Sequence, residues 1–423
     1  MGARVPVVKQ RPARLSAASP RGLALLRPPL VSTSQSSSES APSSSGSAAP
    51  VASPVGQSIP APGRPATRGG ALDLLRLLAA LLIVVYHFGA ESPLRIERFH
   101  PVFARGYLAT DFFLMLSGYV LGRAYGPSAI SGRITHFQFW LRRAARVWPG
   151  HLMVLLAMAG LVFALNLIGT DAHKPSRFAW DQLPLQAMLM HAWGFNSDGW
   201  NLPSWSLSAL IVCYALFPWF WRGASATRRP WLPIALAAVV VVLFDVAARR
   251  TNGFGFAEVP IGLSDLPLRI GVLRAVPLFL LGLCLARAVE LNWPSEKAAK
   301  VLLTVGCAGL VILQVIGRFD LPSLVCLAAI ILGAGRLPVK HPKAWIEEGA
   351  KLSFALFITH ILVGVIYWSA VHKLIDTVPI GIGWQWLMWL AGFPLAIAAA
   401  WLFHTYVDQP LQDRIMPWVR GRG

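Results

Sequence analysis

The chain has 423 residues, of which 55% are apolar and only 13% are charged. Together with several apolar runs of about twenty residues, this composition indicates a polytopic membrane protein and excludes an ordinary soluble domain. The net charge of +19 does not indicate nucleic-acid binding, because the basic residues lie mainly in short loops between apolar runs, where they determine topology.

The first seventy residues, 1–70, have a composition that does not form a core. The stretch 31–60 is rich in Ser, Pro and Ala, and arginines lie on both sides of it. The apolar patch at 22–26 is too short for the core of a signal peptide. We therefore expect a disordered basic tail that stays in the cytoplasm.

After this tail, the apolar runs predict an all-α bundle of about ten membrane spans at 71–411, followed by a short basic tail at 412–423. With the N-terminal tail in the cytoplasm, most loop Lys and Arg residues fall on the cytoplasmic side, as the positive-inside rule requires. Both termini are then cytoplasmic. The predicted spans are 71–90, 106–125, 148–169, 205–221, 231–248, 267–289, 298–316, 321–335, 351–370 and 384–407.

The first predicted span carries two ionisable side chains, Arg76 and His87. Such groups are costly to bury in an apolar helix and are functional by default. At about 1.5 Å per residue they lie about 16 Å apart along the helix, and they project from broadly one face. One helix therefore offers a fixed cation near its inner end and a proton acceptor deep in the span or near its outer end.

The second predicted span carries Asp111, at a depth similar to that of His87. A carboxylate there is suited to orienting the imidazole and fixing its tautomer. The alternative, which has equal weight, is that Asp111 caps or pairs locally near the interface. Ser117 and Gly118 in the same span predict close helix packing, as small residues allow in membranes.

Aromatic and basic residues alternate at helical spacing over 137–149, which predicts an amphipathic helix lying along the inner interface. Arg143 and Arg146 share a face of this helix, and Arg142 lies beside them. Two interpretations remain open: the arginines extend to anionic lipid headgroups, or they bind the phosphates of a ligand through bidentate guanidinium contacts. Arg76 is placed to join such a phosphate site.

The longest external loop, 170–203, contains histidines, acids and tryptophans. Its segment 180–191 has helix-like spacing and is expected to lie at the outer interface, where aromatic rings are favoured. An aromatic belt and a docking surface for a sugar or a lipid-linked acceptor both fit this pattern.

Later spans add further ionisable residues. His360 lies in the middle of the ninth predicted span, either as a hydrogen-bonded structural residue or in the lining of a tunnel, for which Ser117 is another candidate. Arg269 and Arg274 are expected to support packing or the interface rather than chemistry. The cysteines lie in apolar runs without metal or redox spacing, so no metal site is expected.

Three motifs follow one another along the chain: Arg76 and His87 separated by ten residues, Asp-Phe-Phe-x-x-x-Ser-Gly at 111–118, and Arg-Arg-x-x-Arg-x-x-Pro at 142–149. Further matches lie at 204–208, 279–282, 351–360 and 408–411. In this order, the motifs resemble those of the membrane-bound acyltransferase-3 family over about 71–411.

The resemblance implies an O-acyltransferase of the plasma (inner) membrane that modifies sugars of lipopolysaccharide, peptidoglycan, exopolysaccharide or macrolides. It implies roles in activity for His87, Arg76, Arg143 and Arg146. It also implies acyl-CoA as the donor substrate with no bound cofactor, and a saccharide or glycolipid acceptor beside membrane lipids as partners. The chain departs from the family at Leu210, where relatives usually have a glutamate.

The residues and the resemblance lead to one hypothesis. The phosphates of a cytoplasmic acyl-CoA contact Arg143, Arg146 and Arg76, and its pantetheine arm passes through the bundle. His87, oriented by Asp111, then takes the proton of a sugar hydroxyl on the outer side. Two rivals remain: a transporter or flippase of a glycolipid or acyl donor, and an inactive scaffold in polysaccharide export, which only Leu210 supports.

Overall fold

The computed structural model describes residues 69–169, 177–195 and 199–421, and within these ranges the chain forms helices and no strands. The predicted N-terminal tail lies almost wholly outside the described residues. The long helices are α1 (Ala71–Gly89), α2 (Leu108–Ile130), α3 (His136–Leu167), α4 (Trp205–Ser225), α5 (Trp231–Arg250), α6 (Gly271–Glu290), α7 (Glu296–Ile316), α8 (Asp320–Arg336), α9 (Ala344–Thr377), α10 (Ile382–Phe403) and α11 (Gln409–Arg420).

Each of the ten predicted spans coincides with one of the helices α1 to α10, so the prediction of an all-α membrane bundle is confirmed. Among the described residues, eight helices are long and apolar enough to cross a membrane. Helices α2 and α8 fall outside this set. Helix α2 packs against α1, α4, α6 and α8, so protein rather than lipid covers much of its polar surface.

Helices α2 and α6 pack at backbone distance because each has a glycine at the crossing. A Cβ at Gly118 would meet the carbonyl oxygen of Phe279, and a Cβ at Gly282 would meet the backbone of Met115. This is the close packing that small residues permit in membrane bundles, as the Ser-Gly pair of α2 predicts.

Helices α1 and α9 run side by side in the same direction. The side chain of Leu77 lies against Gly349 near their first turns, and His87 lies beside His360 further along. We call the end where α1 finishes and α2, α4 and α6 begin the upper end of the bundle. The end where α1 begins is the lower end.

Helix α3 differs from the prediction, which placed a separate interfacial helix at 137–149. The chain instead forms one continuous helix of 32 residues with Pro149 inside it. Proline lacks the N–H that would bond to the carbonyl of Ala145. The side-chain amide of Gln412 donates to this carbonyl at 3.2 Å and to that of Arg146 at 3.1 Å, so the helix passes the proline without an unpaired carbonyl.

The segment 412–423, predicted to be a short basic cytoplasmic tail, is helical as far as Arg420. A π-helical segment, His404–Asp408, joins α10 to α11. Helix α11 packs against α3. Asp408 and Gln412 both reach α3 from this side, so the C-terminal helix supports the region around Pro149.

The segment 180–191, expected at the outer interface, is anchored to the bundle at its C-terminal end, whereas Trp180 and Met188 are exposed. A short helix, Leu183–Ala187, precedes a turn in which Leu189, His191 and Ala192 are buried. The hydroxyl of Ser208 on α4 donates to the carbonyl of Leu189 at 2.7 Å and accepts from the amide of Ala192 at 3.0 Å. Buried apolar side chains and these hydrogen bonds hold the turn between helices, and the location of the segment at the outer interface stays a prediction.

Candidate active site

His87 and His360 lie in contact near the upper end, on neighbouring helices. Their ring centroids are 5.0 Å apart, and the Nδ1 atom of His87 lies 3.3 Å from the Nε2 atom of His360. Phe88, the next residue of α1, packs against Trp368 and Phe393, and its carbonyl accepts a hydrogen bond of 2.8 Å from the indole of Trp389. Helices α9 and α10 therefore fix the end of α1.

The hydrogen-bond partners of the two histidines determine their neutral tautomers. The Nδ1 atom of His87 lies 2.9 Å from the carbonyl oxygen of Ile83, and the Nδ1 atom of His360 lies 2.9 Å from that of Leu356. A carbonyl only accepts, so both Nδ1 atoms carry the hydrogen and both Nε2 atoms carry a lone pair. The lone pair of His360 then faces the Nδ1–H of His87, and Nε2 of His87 remains free to act as a base.

His87 lines a cavity of about 470 Å³ at the upper end of the bundle. Its walls combine aromatic rings with charged side chains, a composition that suits a ligand with both hydroxyl groups and apolar faces. The aromatic and charged residues of the wall are Tyr86, Phe88, Glu91, Glu97, Tyr107, Arg177, Phe178, Trp200, Trp205, Arg274 and Trp368.

Asp111 does not orient His87, so this prediction is wrong. Its carboxylate accepts a hydrogen bond of 2.7 Å from Nε of Arg274 and one of 3.3 Å from the hydroxyl of Ser264. The Asp111 side chain is fully buried, and that of Arg274 is 4% exposed. A buried guanidinium requires a counter-charge, and α6 presents Arg274 directly to the carboxylate. Of the two interpretations of Asp111, the structure shows the local pairing, and the residue that contacts the ring of His87 through a ring nitrogen is His360.

Sequence reasoning did not single out Arg177, which also lines the cavity. Its carbonyl accepts a hydrogen bond of 2.9 Å from the amide of Trp200, which anchors its backbone. Burial lowers the pKa of its guanidinium, and the negative charge of Glu91 partly offsets this effect. Within the described ranges its side chain makes no ion pair or hydrogen bond, so it is a cation that can meet an anionic group of a ligand.

The arginines of the Arg-Arg-x-x-Arg motif lie on α3, towards the lower end. Arg143 donates to the hydroxyl of Tyr125 at 2.8 Å, and its guanidinium lies over the Tyr125 ring. Arg146 donates to both carboxylate oxygens of Asp408, at 2.9 and 3.3 Å, and lies over the ring of Phe354. Arg146 is therefore already neutralised, whereas the only partner of Arg143 among the described residues is the neutral Tyr125.

Arg76 and Arg142 occupy different settings. Arg76 pairs with Asp73 on its own helix at 3.6 Å and is 37% exposed. The Nε atom of Arg142 is buried without a hydrogen-bond partner. The structure brings Arg143 and Arg146 together on one helix; the joining of Arg76 to them stays a prediction.

The remaining predicted positions lie outside the cavity wall. The hydroxyl of Ser117 donates to the carbonyl of Phe113 at 2.8 Å on its own helix, and Ser117 does not line the cavity. Leu210 is buried in the apolar core. His360 lies behind His87 rather than in the cavity wall. Among the described residues, no three His, Cys, Asp or Glu side chains are grouped as metal ligands would be.

Comparison with known proteins shows the family. The model of the acyltransferase-3 family, described as an acyltransferase domain, matches residues 70–405. The chain belongs to this family, and the protein is a multi-pass membrane acyltransferase.

Two relatives agree with this membership. Acyltransferase MdmB of Streptomyces mycarofaciens is 25% identical over 368 residues, which cover 79% of this chain and 89% of the relative. Protein 2 in the picA locus of Rhizobium radiobacter is 30% identical over 193 residues, 42% of this chain and 95% of the relative. No solved structure matches the chain.

Proposed function

We propose that this acyltransferase moves a short acyl group, acetyl or one of similar size, from cytoplasmic acyl-CoA to a hydroxyl of an exported or cell-envelope saccharide. The observation that carries the proposal is the free Nε2 atom of His87 at the wall of a cavity of about 470 Å³. A base must lie within hydrogen-bond reach of the proton that it removes, and an acceptor that enters this cavity can bring its hydroxyl beside His87.

In the proposed acyl transfer, His87 is the only protein group that takes up and releases a proton. Its Nε2 atom takes the proton from the acceptor hydroxyl while the hydroxyl oxygen attacks the thioester carbonyl. The new C–O bond forms, the C–S bond breaks, and the thiolate of coenzyme A receives the proton from the imidazolium. His87 is then neutral again.

Negative charge develops on the carbonyl oxygen during this attack and needs a hydrogen-bond donor. Arg177 is suited to this task, because it lines the same cavity and its guanidinium has no partner among the described residues. The other guanidinium of the cavity wall, that of Arg274, already donates to Asp111, Ser264 and Tyr107.

The cavity wall supports a saccharide as the acceptor. Glu91 and Glu97 can accept hydrogen bonds from sugar hydroxyls, and Trp200, Trp205 and Trp368 supply apolar ring surface. The catalytic pair and this wall come from the upper end, whereas the arginines of α3 lie towards the lower end.

The charges support the assignment of sides. The basic segments 133–146, 222–229 and 336–343 lie at the lower end of the bundle. The positive-inside rule assigns this end to the cytoplasm. Both termini would then be cytoplasmic in a bacterial inner membrane. An acyl-CoA would place its phosphates near Arg143 and Arg146, with Arg142 and Arg76 adding positive charge, and its thioester near His87.

The test compares ester-linked acyl groups on surface glycans, by mass spectrometry, in cells that produce the wild type or His87→Gln. We expect the variant to lose the ester, and a control at an exposed loop histidine, His341→Gln, to retain it. Full transfer by His87→Gln would exclude the role of His87 as the base. A wild type that moves a glycolipid or acyl donor across the membrane without forming an ester would instead favour a transporter.

The donor side has its own test in purified protein. Arg143→Gln should raise the KM for acetyl-CoA by about tenfold or more, since it removes a charged hydrogen-bond donor, with a smaller effect on kcat. The exposed Arg133 provides the matched control Arg133→Gln. Equal KM values for both variants would exclude the phosphate site on α3.

A further inference from the structure

The pairing of two histidines from helices α1 and α9 suggests a task for the buried one. We propose that His360 is a positioning residue that holds the ring of His87 and fixes its Nδ1–H tautomer. The inference rests on the proposed function, in which Nε2 of His87 is the base.

The contacts of His360 leave one arrangement of hydrogens for the neutral pair. Its Nδ1–H is committed to the carbonyl of Leu356 at 2.9 Å, so its Nε2 atom can only accept. That atom lies 3.3 Å from Nδ1 of His87, which also lies 2.9 Å from the carbonyl of Ile83. Two acceptors therefore surround the Nδ1–H of His87. The carbonyl of Ile83 also accepts from the helix backbone, whereas the opposite tautomer of His87 would leave Nε2 of His360 without a donor.

His360 acts through His87 and not on the substrate. Its side chain is fully buried and does not belong to the cavity wall. Its ring lies 6.3 Å from that of Phe88, which Trp368 and Phe393 hold from the other side. Helix α9 and these rings thus form a rigid support for the pair.

The support is worth most when His87 carries a proton. As Nε2 takes the hydroxyl proton, the Nδ1–H of the imidazolium becomes a charged donor, and its hydrogen bonds strengthen. An interaction that is stronger in the transition state than in the ground state raises kcat rather than substrate affinity. His360 supplies it as a neutral acceptor, so the dyad is uncharged until His87 takes the proton.

His360→Leu removes the acceptor and keeps an apolar side chain of similar reach. We expect kcat to fall by about 10- to 100-fold, as for a lost hydrogen bond to a charged group, with the KM for acetyl-CoA unchanged. His360→Gln can place Oε1 near the former Nε2 atom and should recover part of the loss. His151→Gln, at a buried histidine bonded to the carbonyl of Gln186, controls for the general effect of replacing a buried imidazole.

A spectroscopic measurement separates positioning from packing. In protein labelled with ¹⁵N-histidine, the nitrogen shifts of His87 should report the Nδ1–H tautomer in the wild type and a mixture of tautomers in His360→Leu. Assignment uses the loss of signal in His87→Gln. If His360→Leu does not fold, His360→Gln and the wild-type spectrum decide the question.

The outcomes distinguish this inference from the proposed function. Wild-type transfer by His87→Gln would overturn the proposed function and the inference together. An inactive His87→Gln beside a His360→Leu with wild-type kcat would overturn the inference alone. An Nε2–H tautomer in the wild type, or equal losses in His360→Leu and His360→Gln with an unchanged tautomer, would also overturn it.

Discussion

The buried ion pair of Asp111 and Arg274 can show whether the aspartate of the Asp-Phe-Phe motif acts in folding or in chemistry. Beyond its bond to Asp111, Arg274 donates to the carbonyls of Ser264 at 2.6 Å and of Tyr107 at 3.2 Å. Asp111→Asn leaves these bonds intact and removes the counter-charge. Arg274→Met leaves a carboxylate bonded only to the hydroxyl of Ser264.

Each single change leaves one buried charge without its counter-charge, since the side chains of Asp111 and Arg274 are at most 4% exposed. Breaking a buried pair from one side costs about 3–5 kcal/mol of unfolding free energy. The double variant Asp111→Leu with Arg274→Met removes both charges, and we expect it to be at least as stable as either single variant, because apolar replacement of a buried pair is often neutral. In the cycle formed by Asp111→Leu, Arg274→Met and their double variant, the coupling free energy should therefore be several kcal/mol.

The assay is thermal unfolding of detergent-solubilised protein, followed by tryptophan fluorescence, together with kcat for the folded fraction. The exposed pair of Glu296 and Arg336, at 4.0 Å, is the control, and Glu296→Gln should change stability by less than about 1 kcal/mol. If Asp111→Asn unfolds at the wild-type temperature while its kcat collapses, Asp111 acts in the chemistry, and the reasoning from burial is refuted.

Three further predictions concern packing, catalysis and pH. Gly118→Ala should prevent stable folding, because its Cβ would meet the carbonyl of Phe279, whereas Gly160→Ala, with open space around it, should leave the unfolding temperature unchanged or higher. Arg177→Gln should lower kcat by about 10²–10³-fold if its guanidinium stabilises the oxyanion, and an unchanged kcat would exclude that role. Burial lowers the pKa of His191 to about 3, so between pH 6.5 and 4 only the unfolded state binds this proton. The contribution of His191 should therefore lower the free energy of unfolding by about 1.4 kcal/mol for each unit that the pH falls through this range. In His191→Gln, the slope of the unfolding free energy against pH should correspond to about one proton fewer. An unchanged slope would contradict the lowered pKa of His191.

The fold follows from the sequence because a membrane helix needs only a local signal. Runs of about twenty apolar residues locate the helices, and each predicted span coincides with one. The exception is α3, where Pro149 suggests a boundary. The chain continues through it, and Gln412, 263 residues later, donates to the carbonyl of Ala145, which the proline leaves unpaired. A rescue by such a distant side chain has no local signal.

In the candidate site, too, single residues can be predicted from the sequence, but the contacts between helices cannot. His87 and His360 can each be identified from their position in an apolar run, but their contact depends on the packing of α1 against α9. The sequence predicts Asp111 as a partner for His87 because both residues lie at a similar depth in their spans. Depth does not determine the direction in which a side chain points from its helix. Asp111 points towards α6, where it pairs with Arg274.

Leu210, the departure from the family pattern, gains a physical meaning from its surroundings. It lies five residues after Trp205 on α4, about 7.5 Å further from the upper end, in the apolar core rather than in the cavity wall. A glutamate at this position would require a buried cation as its partner, and Arg146 already has the carboxylate of Asp408. Arg146 therefore has a counter-charge although position 210 is a leucine, and the leucine removes no group from the cavity wall beside His87. The only sequence feature that favours an inactive scaffold lies outside the candidate active site.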